Sequence, residues 1–595
     1  MRRTLTWTAA LACGLLAFGF RLIDLRDLSN DHYMHLAWAQ QVLFGEVPGR
    51  DFVDPGLPLM YTLSAFVQWL SPGPFSEAVL SCALLGVAAA ITCVVAADLT
   101  GSLLPGVLAA LFEIALYPRL YSYPKILVPV VALLLVQQYV RHPSRRGIVL
   151  MALWADIAVL LRHDLGMYAA AGTGVALAWT HWGAPKAIVR ALVEFAGAVV
   201  VVMIPYVAFV QWAEGLPQHF HQALEFAKGE AHQRFLSPPP FAFTSDPRGL
   251  AGWSKVDSAV FLFYAAHLLA VAALVLLVAR RETRTERSPA IGAAVTMFML
   301  YLVVVLRHPI DSRIQDVAAL LAVLGAWVID DLGHRALARR GRPRSGLPGQ
   351  RWLSGRSATR RGEGGAHRSP IAIAGLVLAL AVTAGSVASL WDLGNIGLRL
   401  QETRVTDGLD TMRRTLAGVK QSGTEWPWQR FWPAGELPEA VRYLHACTAP
   451  DDAVLLTWAA PEYYYFARRR FGAGHALFLP PDAFTTIDDQ HLMLARMRAE
   501  RIPVVLINET RRKEFAGAYG EVDRYLQQEY ASAGHFPIRE GSEVTIAVRR
   551  DLRPAGTYGT ERWPCGFDSR AASKTASIML DGSAIPLPAM SNAVP

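Results

Sequence analysis

The chain has 595 residues, of which 53% are hydrophobic, and its formal net charge is +8 at pH 7. Its length exceeds that of one ordinary domain, and its apolar content exceeds that of a soluble protein of this size. The arginines collect in short stretches between long apolar runs, which is the pattern of cytoplasmic loops in membrane proteins, so no nucleic-acid partner is expected.

Apolar runs of about 16 to 24 residues recur along the chain, and such runs can cross a hydrocarbon core of about 30 Å as helices. They predict a mainly α fold with a polytopic transmembrane core of about eleven spans plus juxtamembrane helices. The predicted spans are 4–22, 77–98, 104–118, 125–140, 147–161, 165–182, 190–212, 257–279, 289–306, 316–332 and 371–392.

The first span is predicted to be a signal anchor, because Arg2 and Arg3 precede it and no clear cleavage site follows. Basic residues stay on the cytoplasmic side, so we expect a multi-pass protein of the cytoplasmic (inner) membrane with a cytoplasmic N-terminus. Membrane lipids are therefore expected partners.

The first outer loop, residues 23–76, is too apolar for an ordinary connector and carries Asp31, Asp51 and Asp54. Its two helical stretches, 32–44 and 57–70, are predicted to lie at the membrane interface. If residues 57–70 crossed the bilayer, the later basic stretches would all fall outside, against the charge rule.

Asp31 has two interpretations. Directly before a helical run, it suits an N-cap; in a partly desolvated loop, it suits a general base that takes a proton from an acceptor hydroxyl. Asp51 and Asp54 are candidates to bind hydroxyls or a divalent cation. No stretch has the spacing of a dedicated metal site, and no cofactor is required by the sequence.

Several cations fall at the outer mouths of predicted helical hairpins, where charge is costly. Arg119 and Lys125 lie in YPRLYSYPK, Arg162 lies in LLRHD, and Arg307 and Arg313 lie in LRHPIDSR. Acidic residues of the same face or a negatively charged ligand would compensate them.

For two of these cations the sequence favours different partners. Arg162 lies two residues before Asp164, so a structural salt bridge is a credible alternative to a functional role. Lys125 has no acidic residue within several positions, so a ligand phosphate is the favoured partner.

The sequence divides into five predicted regions. Residues 1–333 form the predicted catalytic core, 334–370 an Arg-rich disordered cytoplasmic loop, and 371–392 the last span. Alternating helix and strand patterns predict a small extracytoplasmic α/β domain within 393–555, followed by a flexible tail over 556–595. A disulfide between Cys447 and Cys565 is left open.

The first span, the ND-H-Y start of the loop and the GRDFVDPGLPLMY stretch resemble the GT-C superfamily of polytopic glycosyltransferases. Over about residues 1–330 the chain looks most like bacterial members related to protein O-mannosyltransferases and aminoarabinose lipid A transferases. The family's first-loop acid, its catalytic base, falls on Asp31. Two positions depart from the family: His32, where many relatives are acidic, and Asp54 with Pro55, where aminoarabinose transferases carry a lysine.

The resemblance implies transfer of a sugar from a polyprenyl-phosphate donor to a glycan, lipid or protein acceptor at the outer face of the membrane. A single carboxylate base suggests inversion, since a retaining route needs a nucleophile as well. The predicted site combines a base, substrate-binding side chains and phosphate-binding cations. The base is Asp31. The substrate-binding side chains are His32, Asp51, Asp54 and Asp164. The phosphate-binding cations are Lys125, Arg307, Arg313, Arg119, Arg162 and His308.

Two alternatives of other classes are a transporter or flippase of a lipid-linked sugar and a non-catalytic envelope scaffold. A transporter predicts charges at the bilayer midplane and inverted repeats. The unusual charges of this sequence instead cluster at one face, which favours the enzyme.

Overall fold

The computed structural model describes residues 2–25, 28, 30–54, 56–231, 238–239, 243–245, 254–279, 287–306, 310–337, 370–404, 407–433, 437–478, 483–538 and 542–567. The chain forms two compact units, Met1–Leu437 and Pro438–Pro595. The predicted fold class, a polytopic helical core with a small C-terminal α/β unit, is confirmed.

The described part of the first unit is helical apart from a two-stranded antiparallel ribbon of β1 (Phe243–Ser245) and β2 (Ser254–Val256). Its helices are α1 (Arg2–Ile23), α2 (Asn30–Leu43), α3 (Pro58–Leu70), α4 (Pro74–Thr100), α5 (Leu103–Leu116), α6 (Tyr123–Arg141), α7 (Arg145–Leu161), α8 (His163–Thr180), α9 (Pro185–Ala213), α10 (Leu216–Ala231), α11 (Ser258–Ala279), α12 (Ser288–Val305), α13 (Ile310–Ile314), α14 (Ala318–Leu337), α15 (Pro370–Leu393), α16 (Ile396–Thr403) and α17 (Leu409–Thr424).

Each predicted span coincides with one of these helices. By length and composition, seven helical stretches of the described chain qualify as membrane-spanning, fewer than the eleven predicted. The seven are Arg3–Ile23, Pro74–Thr100, Leu120–Arg141, Pro185–Ala213, Ser258–Ala279, Ile310–Ala336 and Ile373–Leu393. Helices α5 and α12 are apolar but shorter, and the 14 residues of α5 cover only about 21 Å at about 1.5 Å per residue.

The helices differ in how deeply they are buried. The apolar windows of α4, α6 and the α13–α14 stretch are 61%, 83% and 61% buried, against 11% for α9 and α15. The first three therefore form the centre of the helical unit. Small residues bring α1 against α4: a Cβ on Gly14 would lie 2.8 Å from the carbonyl oxygen of Gly86, the close approach typical of membrane helix pairs.

The first loop is apolar because it packs into the helical unit. Trp38 of α2 donates its indole N–H to the carbonyl of Val53 at 2.8 Å, and the buried Tyr33 donates to the carbonyl of Phe431. Arg430 donates to the carbonyl of Leu25 at 3.1 Å. These contacts explain why residues 393–437 belong to the first unit, whereas the sequence grouped them with the α/β domain.

The second unit is a mixed five-stranded sheet with helices. Its helices are α18 (Glu439–Cys447), α19 (Pro461–Ala467), α20 (Ile487–Ala499), α21 (Arg512–Ala518) and α22 (Gly520–Glu529). Its strands are β3 (Ala453–Leu456), β4 (Arg470–Phe471), β5 (Val504–Asn508), β6 (Tyr530–Ile538) and β7 (Ser542–Arg549), in the order β4-β3-β5-β7-β6. Strand β3 runs parallel to β4 and β5, and β7 runs antiparallel to β5 and β6.

The sequence placed the flexible tail too early. Strands β8 (Pro554–Tyr558) and β9 (Trp563–Phe567) form an antiparallel hairpin, which the Pro- and Gly-rich composition had concealed. Trp563 packs edge-to-face on Tyr443 with ring centroids 5.4 Å apart, and a disulfide joins Cys447 to Cys565. Residues 568–595 and most of the predicted disordered loop, 338–369, lie outside the described residues.

The disulfide gives a first testable prediction. We expect Cys447→Ala/Cys565→Ala to cost about 2 to 5 kcal/mol of stability in the second unit, because the bond fastens the hairpin to α18. Of the five cysteines, only Cys13, Cys82 and Cys93 are free thiols. Denatured, unreduced protein should therefore take up three maleimides by mass spectrometry, and reduced protein should take up five. Labelling of all five without reduction would contradict the assignment.

Candidate functional site

Asp31 lies in the first turn of α2 and is exposed. No described residue hydrogen-bonds to its carboxylate or forms an ion pair with it. Its electrostatic neighbours are Arg119 and Tyr121, which belong to the turn before α6. The carboxylate is therefore accessible, and none of its lone pairs is engaged by the part of the chain that the structure describes.

Tyr121 connects the elements around Asp31. Arg119 donates to the Tyr121 hydroxyl at 3.2 Å, and the ammonium of Lys125 lies 5.8 Å from the ring centroid. The rings of His32 and His35 lie 6.4 and 6.3 Å from it. Tyr121, to which the sequence assigned no role, therefore lies at the centre of the charged cluster.

Lys125 has an acidic partner in a distant part of the chain. Its ammonium donates to the Oδ2 of Asp316 at 2.5 Å, and the side chains are only 4% and 2% exposed. The partner is 191 positions away in sequence, which is why the local sequence gave no sign of it. Burial of either charge requires such compensation.

Arg162 and Asp164 form the structural ion pair that the sequence offered as an alternative. The guanidinium Nε donates to Asp164 Oδ1 at 2.8 Å, and the same oxygen accepts the backbone N–H of Leu165 at 2.9 Å. The carboxylate lies in the first turn of α8, where its negative charge interacts favourably with the helix dipole.

His32 is buried and pairs with Glu77 of α4, with Nε2 and Oε1 2.9 Å apart and both side chains 1% exposed. Its predicted contact with substrate is not supported by this placement, because the ring has no path to solvent. Glu77 was not identified from the sequence, and no local signal joins residues 45 positions apart.

His35, one turn after Asp31 on α2, is a further residue that the sequence analysis missed. Burial first, and then the nearby His32, Arg162 and Lys125, lower the pKa of His35 to about 3. The imidazole is therefore neutral at physiological pH. Its spacing of four from Asp31 places both residues on one face of α2.

Asp51 serves the loop itself. It accepts two hydrogen bonds from Arg50, at 2.9 and 2.8 Å, and one from the backbone N–H of Val47 at 2.8 Å. These three bonds account for much of its hydrogen-bonding capacity.

Asp54 belongs to a second polar group with residues near the end of α9 and in α10. It accepts the N–H of Gly56 at 2.8 Å, and its electrostatic neighbours include Glu214 and His219. Burial raises the pKa of Asp54. His219 bonds to Glu214 at 2.5 Å, and this bond raises the pKa of the imidazole.

Arg313 is half-buried, its Nε has no hydrogen-bond partner, and it is an electrostatic neighbour of Lys125. Arg307 and His308 lie outside the described residues. The structure thus brings together six predicted site residues, Asp31, Arg119, Lys125, Arg162, Asp164 and Arg313. Among the described residues, no group of three or more His, Cys, Asp or Glu side chains could hold a metal ion.

No protein-family model and no curated protein matches this chain. The solved structures that are similar to it include an archaeal oligosaccharyltransferase and a bacterial ArnT. The oligosaccharyltransferase of Archaeoglobus fulgidus, tethered to an acceptor peptide, has a TM-score of 0.41 and 14% identity over 91% of this chain and 74% of that one. ArnT from Cupriavidus metallidurans, bound to undecaprenyl phosphate, has a TM-score of 0.46 and 13% identity over 91% of this chain and 98% of that one. Both TM-scores are below 0.5, so neither structure assigns an activity to this chain.

Proposed function

We propose that this multi-pass membrane protein is a glycosyltransferase that moves a sugar from a polyprenyl-phosphate donor to an acceptor hydroxyl. The observation that supports it best is the exposed Asp31 carboxylate, which has no partner among the described residues and lies near cations from separate parts of the helical unit. A carboxylate base next to positive charge is what this transfer requires.

Asp31 is the proposed base because the neighbouring acids are engaged. Asp164 accepts from Arg162 and Leu165, and Asp316 pairs with Lys125. In the proposed step, Asp31 takes the proton of the acceptor hydroxyl as the new bond to the anomeric carbon forms. The bond from that carbon to the phosphate oxygen breaks, and polyprenyl phosphate leaves with the electron pair.

Arg119 and Arg313 are the proposed ligands of the departing phosphate. Arg119 has one described hydrogen bond, to Tyr121, and Arg313 has an unpartnered Nε, so both retain donors for phosphate oxygens. Arg307 and His308 adjoin Arg313 in sequence and are proposed to contribute. Lys125 and Arg162 are already neutralised by their acids, so we assign them to positioning of the cluster.

The described cluster contains one carboxylate base, Asp31, and no second free carboxylate that could act as a nucleophile. We therefore propose a single displacement with inversion. We place the reaction at the outer face of the cytoplasmic membrane. The disulfide of the second unit supports an extracytoplasmic position for that unit, because such bonds persist in oxidising compartments.

A panel of polyprenyl-phosphate sugars, each radiolabelled in the sugar, tests the proposal. Membranes with the wild-type protein should consume one donor, release polyprenyl phosphate and transfer label to an acceptor fraction. Membranes with an Asp31→Asn variant should not. A transporter would instead move the labelled lipid between leaflets with its sugar still attached, and that result would contradict the proposal.

A further inference from the structure

A cavity of about 430 Å³ in the helical unit carries three arginines. Arg21 comes from the last turn of α1, Arg119 from the turn before α6, and Arg399 from α16. Because Arg119 is also the electrostatic neighbour of Asp31, the cavity adjoins the proposed reaction site. Its volume lies in the range of small-molecule sites, about 300 to 1,000 Å³.

Arg21 is the least satisfied of these cations. Its residue is only 4% exposed, and its Nη2 donates to the carbonyl of Pro118 at 2.6 Å, but Nε and Nη1 have no hydrogen-bond partner. A buried guanidinium with open donors is costly, and charges within membrane helices are commonly functional. Arg21 lines the cavity, so a ligand with acceptor oxygens bound there would lie next to this guanidinium.

The surrounding contacts hold the arginines in place. The guanidinium carbons of Arg21 and Arg399 each lie 3.5 Å from the ring centroid of Tyr117, and at that distance they must occupy opposite faces of the ring. Asp24 Oδ2 accepts from both Arg399 and the Tyr117 hydroxyl at 2.5 Å. The aromatic ring and one carboxylate thus fix two cations before any ligand arrives.

The charged residues of the cavity differ in how deeply they are buried. Arg21 and Asp24 are buried and Arg399 and Arg119 are half-buried, so together these four residues carry a formal charge of +2. The acids Asp311 and Glu402 also line the cavity, but both are exposed. Exposed charges are screened by water and salt more than buried ones, so the interior favours an anion.

We propose that this cavity binds an oxyanion of the acceptor, a phosphate or carboxylate group, so that the acceptor substrate is an anionic molecule. This inference rests on the proposed transferase function, since Asp31 next to the cavity would then receive the proton of the acceptor. It assigns Arg21 and Arg399 a different task from Arg313, which contacts the phosphate of the donor.

Two phosphate probes separate the acceptor cavity from the donor site. Binding of glucose 6-phosphate and of geranyl phosphate to the purified full-length protein is measured by calorimetry at constant ionic strength. Arg21→Gln should weaken glucose 6-phosphate binding about tenfold or more through loss of charge-assisted hydrogen bonds, while the Kd for geranyl phosphate changes less than twofold. Arg313→Gln should do the reverse, and Arg141→Gln, a surface arginine paired with Asp98, should change neither.

If Arg21→Gln fails to fold, Gln315→Glu replaces it. Gln315 lines the same cavity, so the new carboxylate should repel glucose 6-phosphate while retaining the volume of the side chain. The inference would be overturned if the folded variants bound glucose 6-phosphate with unchanged affinity. It would also be overturned if their affinity for geranyl phosphate fell by as much as their affinity for glucose 6-phosphate. These measurements need no turnover, so selective binding without sugar transfer would refute only the proposed function, and transfer without selective binding would refute only the inference.

Discussion

Replacing Asp31 by Asn should lower the rate of sugar transfer by about 10² to 10⁴, the usual contribution of a positioned general base. Asparagine has nearly the same shape but cannot take up a proton at neutral pH. The side chain is exposed and unpaired among the described residues. Stability should therefore change by less than about 1 kcal/mol, mostly through the lost charge at the start of α2.

The measurement is the initial rate of label transfer at saturating donor, alongside thermal unfolding of the same preparations. Asp410→Asn is the matched control, because Asp410 is also an exposed aspartate in the first turn of a helix, with its side chain 90% exposed. Both variants should bind donor with wild-type affinity. An Asp31→Asn protein that retains more than a tenth of the wild-type rate would remove the assignment.

Local sequence patterns sufficed for the helices. Apolar runs such as 77–98 and 190–212 coincide with α4 and α9. Their hydrophobicity and the hydrogen bonds of their helical backbone both depend on residues close together in sequence. Span number was harder, because α5 is apolar enough but has only 14 residues. Helix α5 differs from the seven stretches that are long enough to cross a membrane in its length and not in its composition.

Pairing across the chain could not be predicted in the same way. His32 was placed with substrate from its position after Asp31, yet its partner Glu77 comes from α4. The sequence assigned no role to Arg21, because Tyr117, whose ring it shares with Arg399, lies far along the chain. The sequence indicates which residues are costly in a membrane, but the fold decides which of them compensate one another.

Lys125 is also paired with a residue far away in sequence, and the loss of this pair should have a large effect on stability. Lys125→Met should destabilise the helical unit by about 3 to 5 kcal/mol, because it leaves the Asp316 carboxylate buried without its partner. The midpoint of thermal unfolding in detergent should fall accordingly. Arg335→Met is a suitable control, since Arg335 also pairs with a buried aspartate, Asp331, but its own side chain is 38% exposed.

The double variant Lys125→Met/Asp316→Leu separates structure from ligand binding. Replacing a whole buried pair by apolar side chains of similar volume is often neutral, so the double variant should regain most of the stability. If Lys125 only neutralises Asp316, the variant should also bind geranyl phosphate within about threefold of wild type, because Arg119 and Arg313 keep their donors. A stable double variant that no longer binds this probe would instead restore the phosphate role that the sequence predicted for Lys125. The ion pair would then be the resting state of a cation that exchanges Asp316 for the phosphate of the donor.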